Sequence, residues 1–364
     1  MKDARPIIET VGLVKQFGGR RQLLSRSPVV HAVNDVSLRV RDGETFAIVG
    51  ESGCGKSTLG RLLIRLLDPT GGDVIYKGRN LASLSATEMR RLRRELQIVF
   101  QDPFASLNPR MSVADIVGEP IWLHETAGKK ERREKVLDIF RTVGLRPDMA
   151  DRFPHEFSGG QRQRIGIARA LAGEPKLILG DEPVSALDVS IQAQIVNLLE
   201  ELKERLDLTL IIVAHDLAVI RHMSDRVAVM YLGEVVELAE TDDLFETPLH
   251  PYSQALLDAI PVPSPRARSA QAPVRGDVPS PTNPPKACRF HTRCPHAQPI
   301  CSEVRPVLER ADEGGRQVAC HFWREIQAAG SSARAPIAAS ANFETRLALY
   351  RARQSGGAAP LKQP

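Results

Sequence analysis

Short apolar runs recur along the first 240 residues or so, at Thr45–Val49, Leu177–Leu179, Leu210–Val213 and Arg226–Met230. Runs of this length predict buried strands. Between them lie longer segments with helical spacing, such as Ser57–Leu67, Gln161–Ala172 and Ser190–Leu206. Strands alternating with helices predict an α/β unit from about Ile7 to Leu238, with a mainly parallel sheet flanked by helices. The pattern then breaks. Residues 261–285 hold 8 prolines in 25 positions, the texture of an extended linker. A cysteine-bearing segment follows, to about Trp323. From Ala328 onward Ala, Ser, Gly and Arg dominate, which predicts a flexible tail with one helix near Ala341–Arg353. The expected organisation is therefore a main unit over 1–260, a linker and cysteine region over 261–327, and a tail over 328–364. There is no internal repeat.

Composition narrows this little. The 364 residues have room for two average domains or one large one, and the apolar (42%) and charged (26%) fractions are those of a globular protein. No stretch approaches the roughly 18 consecutive apolar residues of a membrane span. Met1–Thr10 carries charges throughout and has no apolar signal core, so a cytoplasmic chain is expected unless a partner tethers it. A net charge of +5 suits an anionic ligand, a membrane surface, nucleic acid or simply a solvated basic face, and decides nothing. Of the five cysteines, Cys54 stands alone in a glycine-rich loop, while Cys288, Cys294, Cys301 and Cys320 cluster near the C-terminus. In a cytosolic chain such a cluster points to metal before disulfide.

The strongest chemical signal is Gly50-Glu51-Ser52-Gly53-Cys54-Gly55-Lys56-Ser57-Thr58, which follows one predicted strand and opens a helix. That is the context of a phosphate-binding P-loop. Gly50, Gly53 and Gly55 let the backbone wrap so that its N–H groups, with that of Ser52, point at phosphate oxygens, and the helix N-terminus adds positive partial charge. Lys56 is expected to reach the β- and γ-phosphates of ATP, and Ser57 to give its hydroxyl to Mg²⁺. Thr58 serves the α-phosphate or caps the helix. Cys54 occupies a variable position and reads as a small filler rather than a redox switch.

A second apolar strand, Leu177-Ile178-Leu179-Gly180, runs into Asp181-Glu182-Pro183 and reads as a Walker B strand. Asp181 would hold Mg²⁺, and Glu182 would act as general base toward water. About twenty residues earlier stands Phe157-Ser158-Gly159-Gly160-Gln161. With these motifs in this order the chain resembles the ABC ATPase family, whose signature motif this looks like, with Phe157 in place of the usual Leu. The resemblance implies a P-loop ABC-type nucleotide-binding domain with a helical subdomain and a small cysteine-containing C-terminal extension. It implies that Ser158, Gly159, Gly160 and Gln161 cap the γ-phosphate of ATP held by an opposite subunit. A hydroxyl, two backbone N–H groups and a helix N-terminus make a suitable anion site, though Ser158 would equally cap an ordinary helix.

Further landmarks are carried by the same resemblance. Gln101, after the strand Gln97–Phe100, resembles the Q-loop glutamine that touches Mg²⁺ and the attacking water. Ser185-Ala186-Leu187-Asp188 resembles the D-loop at the dimer seam, and His215 the switch histidine that holds the γ-phosphate, the water and Glu182. Phe17 is the best candidate for stacking on adenine. The resemblance also implies that Asp102–Met111 and the helical region after it dock on a membrane partner.

Asp181 through Gln194 (DEPVSALDVSIQAQ), His250-Pro251-Tyr252 and Asn283-Pro284-Pro285 with the cysteines after them narrow the resemblance to ATPases of bacterial oligopeptide and dipeptide importers. This implies a peripheral ATPase at the cytoplasmic face of the inner membrane. Its expected partners are two permeases, a second homologous ATPase and an extracytoplasmic binding protein. Relatives that import nickel or glutathione keep the solute open. A non-transport ATPase acting on nucleic acid or ribosomes is disfavoured. It would carry two nucleotide domains, a coiled-coil insertion or a long basic arm, whereas Arg90–Arg94 and Lys129–Arg133 are short and interleaved with Leu or Glu. Intact Lys56, Asp181, Glu182 and His215 argue against a silent binding subunit, and the C-terminal extension against an exporter ATPase. The cysteine spacings, Cys-x5-Cys, Cys-x6-Cys and Cys-x18-Cys, match neither the common zinc pattern nor the ferredoxin run. Spacing leaves zinc, an iron–sulfur cluster and free buried thiols open. The resemblance favours a [4Fe–4S] cluster on the four thiolates. His291, His296 and His321 are ligand alternatives that would favour Zn²⁺.

Overall fold

The structure, a computed structural model, describes residues 6–19, 21–22, 25–26, 28–125, 128–260 and 276–329. The expected helix at 341–353 and the proline-rich stretch 261–275 lie outside the described residues.

The apolar runs form the centre of an eight-stranded sheet. Its order is Glu309–Arg310, Gln317–Val318, Glu234–Glu240, Arg226–Tyr231, Thr45–Val49, Thr209–Ala214, Leu177–Asp181 and Leu96–Val99. The five strands from Arg226–Tyr231 to Leu96–Val99 pair in parallel, and the other three pair antiparallel. Successive side chains of a strand point to opposite faces. Accordingly Ala47, Val49, Ile178, Leu210 and Ile212 join one buried core, and Phe46, Ile48, Leu177, Leu179, Ile211 and Val213 the other. Both faces are covered, which is why these strands read as unbroken apolar runs rather than as alternation.

A second sheet covers one of these faces. It is antiparallel, with order Val30–Arg41, Pro6–Phe17, Gly71–Tyr76 and Arg79–Asn80. Against the other core pack three helices of a helical subdomain, Val113–His124, Lys129–Thr142 and Gly159–Leu171. Ser112 caps the first of them, its side chain accepting from Asp115 N–H.

Most boundaries shift by a residue or two from the sequence reading, and two of the shifts bear on the site. The helix expected over Ser57–Leu67 runs only from Lys56 to Leu63. Arg65 takes a left-handed backbone (φ 51°), and Leu66 N–H returns to Arg61 C=O at 2.8 Å, a helix stop of the Schellman kind. Arg65 makes that stop worth holding: its guanidinium donates to the carbonyls of Leu81 and Leu84. The strand expected over Gln97–Phe100 is Leu96–Val99, with Gln101 in the loop after it. The C-terminal segment adds two short strands to the edge of the main sheet, with Val318 opposite Glu237.

Candidate functional site

The phosphate loop joins the strand Thr45–Val49 to the helix Lys56–Leu63. Two of its glycines are dictated by close approach. A Cβ on Gly55 (φ 105°) would stand 2.1 Å from the carbonyl oxygen of Ala32, and one on Gly50 (φ 151°) 2.1 Å from that of Met230. No L side chain fits either position. Cys54 is buried beneath the loop, and burial pushes its thiol up. Lys56 is also buried, and its Nζ donates to the carbonyls of Gly50 (2.8 Å) and Glu51 (3.0 Å) of its own loop. Ser57 and Thr58 are half-buried in the first turn of the helix, and Ser52 and Gly53 are exposed at the crest of the loop.

The other predicted groups come from the carboxyl ends of neighbouring parallel strands. Asp181 ends its strand and is buried. Its Oδ2 accepts from Arg61 at 3.0 Å and its Oδ1 has no protein partner. A buried carboxylate oxygen without a donor is costly unless something cationic meets it. With the Ser57 hydroxyl on the loop, it fits a hard cation that favours oxygen ligands.

Glu182 follows, with a left-handed backbone (φ 50°) pinned by its N–H donating to Val213 C=O at 2.9 Å. Its Oε2 accepts from Gln101 Nε2 at 2.9 Å and lies 3.2 Å from His215 Nδ1. Three residues far apart in sequence thus meet at one carboxylate.

The signature segment is built differently. Ser158 caps the helix Gly159–Leu171 in a reciprocal box with Gln161: Ser158 N–H donates to Gln161 Oε1 at 3.0 Å, and Gln161 N–H to Ser158 Oγ at 3.4 Å. Among the described residues no hydrogen bond or ion pair joins Ser158–Gln161 to the phosphate loop of the same chain. Phe157 is buried, so the change from Leu keeps its apolar seat. Phe17 ends the strand Pro6–Phe17. Its ring is 39% exposed, with Lys15 Nζ 5.1 Å from the centroid.

Three contributors were not singled out from sequence. Arg61, on the phosphate-loop helix, partners Asp181. Gln163 donates to Pro183 C=O at 2.6 Å and ties the signature helix to the segment after Glu182. Arg293 pairs with Glu51 of the phosphate loop. A polar residue on a buried helix face was the one available signal, for Gln163; the other two look like ordinary surface cations in sequence.

The four clustered cysteines line one small cavity together with His250, Phe290, His291, His296 and His321. Burial first, and neighbouring sulfurs after it, push up the thiols of Cys288, Cys294 and Cys320, Cys294 to about 11 and Cys320 to about 12. Among the described residues, no group of three or more His, Cys, Asp or Glu is gathered so as to hold a metal ion. Neither the expected [4Fe–4S] cluster nor the zinc alternative therefore finds ready-made coordination there. One ring nitrogen of each of two nearby histidines meets a carbonyl: His291 Nδ1 stands 2.8 Å from Cys288 C=O, and His321 Nε2 3.0 Å from Val304 C=O.

Comparison with known proteins gives the family. Residues 33–185 match the ABC transporter family, and residues 236–301 match the oligopeptide/dipeptide transporter C-terminal region. The oligopeptide transport ATP-binding protein AppF of Bacillus subtilis is 52% identical over 321 residues, 87% of this chain and 97% of the relative. The probable peptide ABC transporter ATP-binding protein y4tS of Sinorhizobium fredii is 52% identical over 334 residues, 91% of each. Among solved structures, CbiO1 of Clostridium perfringens superposes with a TM-score of 0.57 at 29% identity, over 66% of this chain and 91% of that one. The ATP-binding cassette MJ0796, a dimer in a post-hydrolysis state with ADP and phosphate, gives 0.57 at 30%, over 64% and 98%. Among the described residues no helix is long and apolar enough to cross a membrane. The chain belongs to the ABC transporter family, among the ATP-binding proteins that carry the oligopeptide/dipeptide transporter C-terminal region.

Proposed function

We propose that the chain is the ATP-hydrolysing subunit of a peptide importer. The observation that carries the chemistry is the Glu182 carboxylate, held by Gln101 and His215 beside the buried, half-partnered Asp181. In this reading Gly50–Thr58 wrap the phosphates and Lys56 moves from its loop carbonyls to the β- and γ-phosphates. Ser57, Gln101 and Asp181 would hold Mg²⁺, which when bound would supply positive charge to the transferring group. Glu182 takes a proton from the attacking water, while Gln101 and His215 fix its carboxylate. Phe17 offers its exposed ring to adenine.

Ser158, Gly159, Gly160 and Gln161 act on nucleotide held by a facing subunit. Their lack of any polar link to the phosphate loop of their own chain supports this, as does the dimeric MJ0796. The facing subunit is a related ATPase. Two permeases dock on the segment after Gln101, where Phe104 is 59% exposed, and on the helical region that follows, where Trp122 is 65% exposed. The chain accordingly sits at the cytoplasmic face of the inner membrane, with an extracytoplasmic binding protein delivering peptide. Affinity capture from native membranes, followed by mass spectrometry, is expected to recover two permeases and a second ATPase. Recovery of ribosomal or DNA-bound proteins with no permease would overturn the transport assignment.

The cysteine region, 261–327 in the domain division proposed here, would carry a [4Fe–4S] cluster on Cys288, Cys294, Cys301 and Cys320. Support comes from the single cavity that the four cysteines line together. A cluster is also wider than a single ion, so its four ligands need not crowd one point. Bound, it would cross-link four positions of a segment with little other regular structure. Aerobically purified protein is expected to be brown, with broad absorption near the visible–ultraviolet border and about four irons and four acid-labile sulfides per chain. Colourless protein with one zinc per chain would refute the cluster.

A further inference from the structure

The cysteine segment touches the phosphate loop directly. Arg293, one residue before Cys294, donates from Nη1 to Glu51 Oε2 at 2.8 Å and from Nη2 to Glu51 Oε1 at 3.0 Å. This is a bidentate fork, the geometry that orients as well as neutralises a carboxylate. Nη1 also lies 3.3 Å from the Tyr231 hydroxyl, and the Arg293 side chain is only 6% exposed. A second contact fixes the backbone at the same residue: Glu51 N–H donates to the Tyr252 hydroxyl at 2.8 Å. The buried Tyr252 ring packs on Tyr231 (4.6 Å between centroids) and Phe290 (5.4 Å). Phe290 in turn lines the cavity with Cys288 and Cys294.

Glu51 is the one acidic residue between Gly50 and Thr58. A loop that must receive a polyanion carries this carboxylate at its first turn, where it opposes the phosphates. Lys56, the loop's own cation, gives its donors to the carbonyls of Gly50 and Glu51. The guanidinium that answers Glu51 comes from 242 residues away in sequence.

We propose that Arg293 is a positioning residue for the phosphate loop. It neutralises and orients Glu51 while Tyr252 holds the same residue's N–H, so that the cysteine segment sets the affinity for nucleoside triphosphate. The inference rests on the phosphate-binding reading of Gly50–Thr58. Phe290 and the short stretch Cys288–Cys294 make the connection physical: whatever orders that stretch orders Arg293.

The test is titration of the full chain with a fluorescent ATP analogue and Mg²⁺, with thermal unfolding recorded for each variant. Arg293→Ala is expected to weaken binding about tenfold, the scale of one uncompensated charge near the ligand at a protein surface. Arg293→Gln, which keeps more of the volume, serves if the alanine variant folds poorly, and is expected to show the same loss. Arg293→Lys, which keeps the charge but not the fork, should recover only part of the affinity. Adding Glu51→Gln to Arg293→Ala should recover it severalfold, because the opposing charge is then gone. A purely structural contact would lower the unfolding temperature without this charge-dependent rescue. Unchanged affinity in Arg293→Ala and Arg293→Gln, with Lys56→Ala abolishing binding, overturns the inference and keeps the phosphate loop. Absence of nucleotide binding in the unaltered chain overturns the phosphate-loop reading itself.

Discussion

Glu182→Gln is expected to cut ATP turnover by about 10²–10⁴-fold, the usual contribution of a positioned general base, and to leave nucleotide binding intact. The substitution is nearly isosteric. An amide oxygen can still accept from Gln101 Nε2, now 2.9 Å from the carboxylate, and the backbone bond from residue 182 to Val213 C=O is untouched. What is lost is the ability to take a proton from water. Asp181, with its free Oδ1, and the phosphate loop remain to hold the magnesium nucleotide. The measurement is phosphate release at saturating ATP alongside the dissociation constant of a fluorescent analogue. Turnover within threefold of the unaltered chain would move the base to another residue. A parallel collapse of binding would instead mean that Glu182 serves the ion and not the water.

That these residues could be found in the sequence at all follows from the topology. Leu96–Val99, Leu177–Asp181 and Thr209–Ala214 are successive parallel neighbours, so their carboxyl ends lie along one edge of the sheet. Gln101, Glu182 and His215 each follow one of these ends within a few residues. An apolar run with a polar residue just beyond it marked each position, and the family resemblance was needed to single out Gln101 and His215. The phosphate loop was legible for a different reason: its chemistry is local, and the glycines that make it possible are contiguous. The antiparallel sheet was not read strand by strand. Its long strands Pro6–Phe17 and Val30–Arg41 pair through several register shifts, which interrupt the alternation that would have marked them. Nor could the sequence show Arg61 beneath Asp181, or the reach of Arg293 to Glu51. A charged residue pairs with whatever the fold brings near it, and no spacing rule connects positions 51 and 293. The segment around the cysteines looked like an appendage because its two strands are two residues each, too short to leave a pattern.

That segment is tied to the main sheet by a buried charge, which leads to the second large effect. Glu237→Ala is expected to destabilise the protein by about 3–5 kcal/mol, the range for breaking a buried ion pair by removing one partner. Glu237 is fully buried in its strand. One oxygen accepts from Leu249 N–H at 2.9 Å and from Arg316 Nη2 at 3.0 Å, and the other from His250 N–H at 2.9 Å. Arg316 is 7% exposed and also donates to the Thr247 hydroxyl and carbonyl. Alanine would leave a buried guanidinium short of its counter-charge and two backbone donors without acceptors, at the place where Val318, Leu249 and Trp323 form a small apolar cluster. Because Glu237 and Leu238 pair directly with Val318 and Gln317, the loss should shift one cooperative unfolding transition rather than split off a separate one. Chemical denaturation followed by tryptophan fluorescence measures this well, since Trp323 reports from within the cluster. Two resolved transitions, with only the fluorescence step moved, would show the C-terminal segment to be a separately melting body. Replacing both partners, Glu237→Leu with Arg316→Leu, separates charge from packing. No charge is then stranded, so the double variant is expected to recover a large part of what Glu237→Ala loses. Failure to recover would mean that the N–H groups of Leu249 and His250, rather than the ion pair, are what Glu237 holds in place.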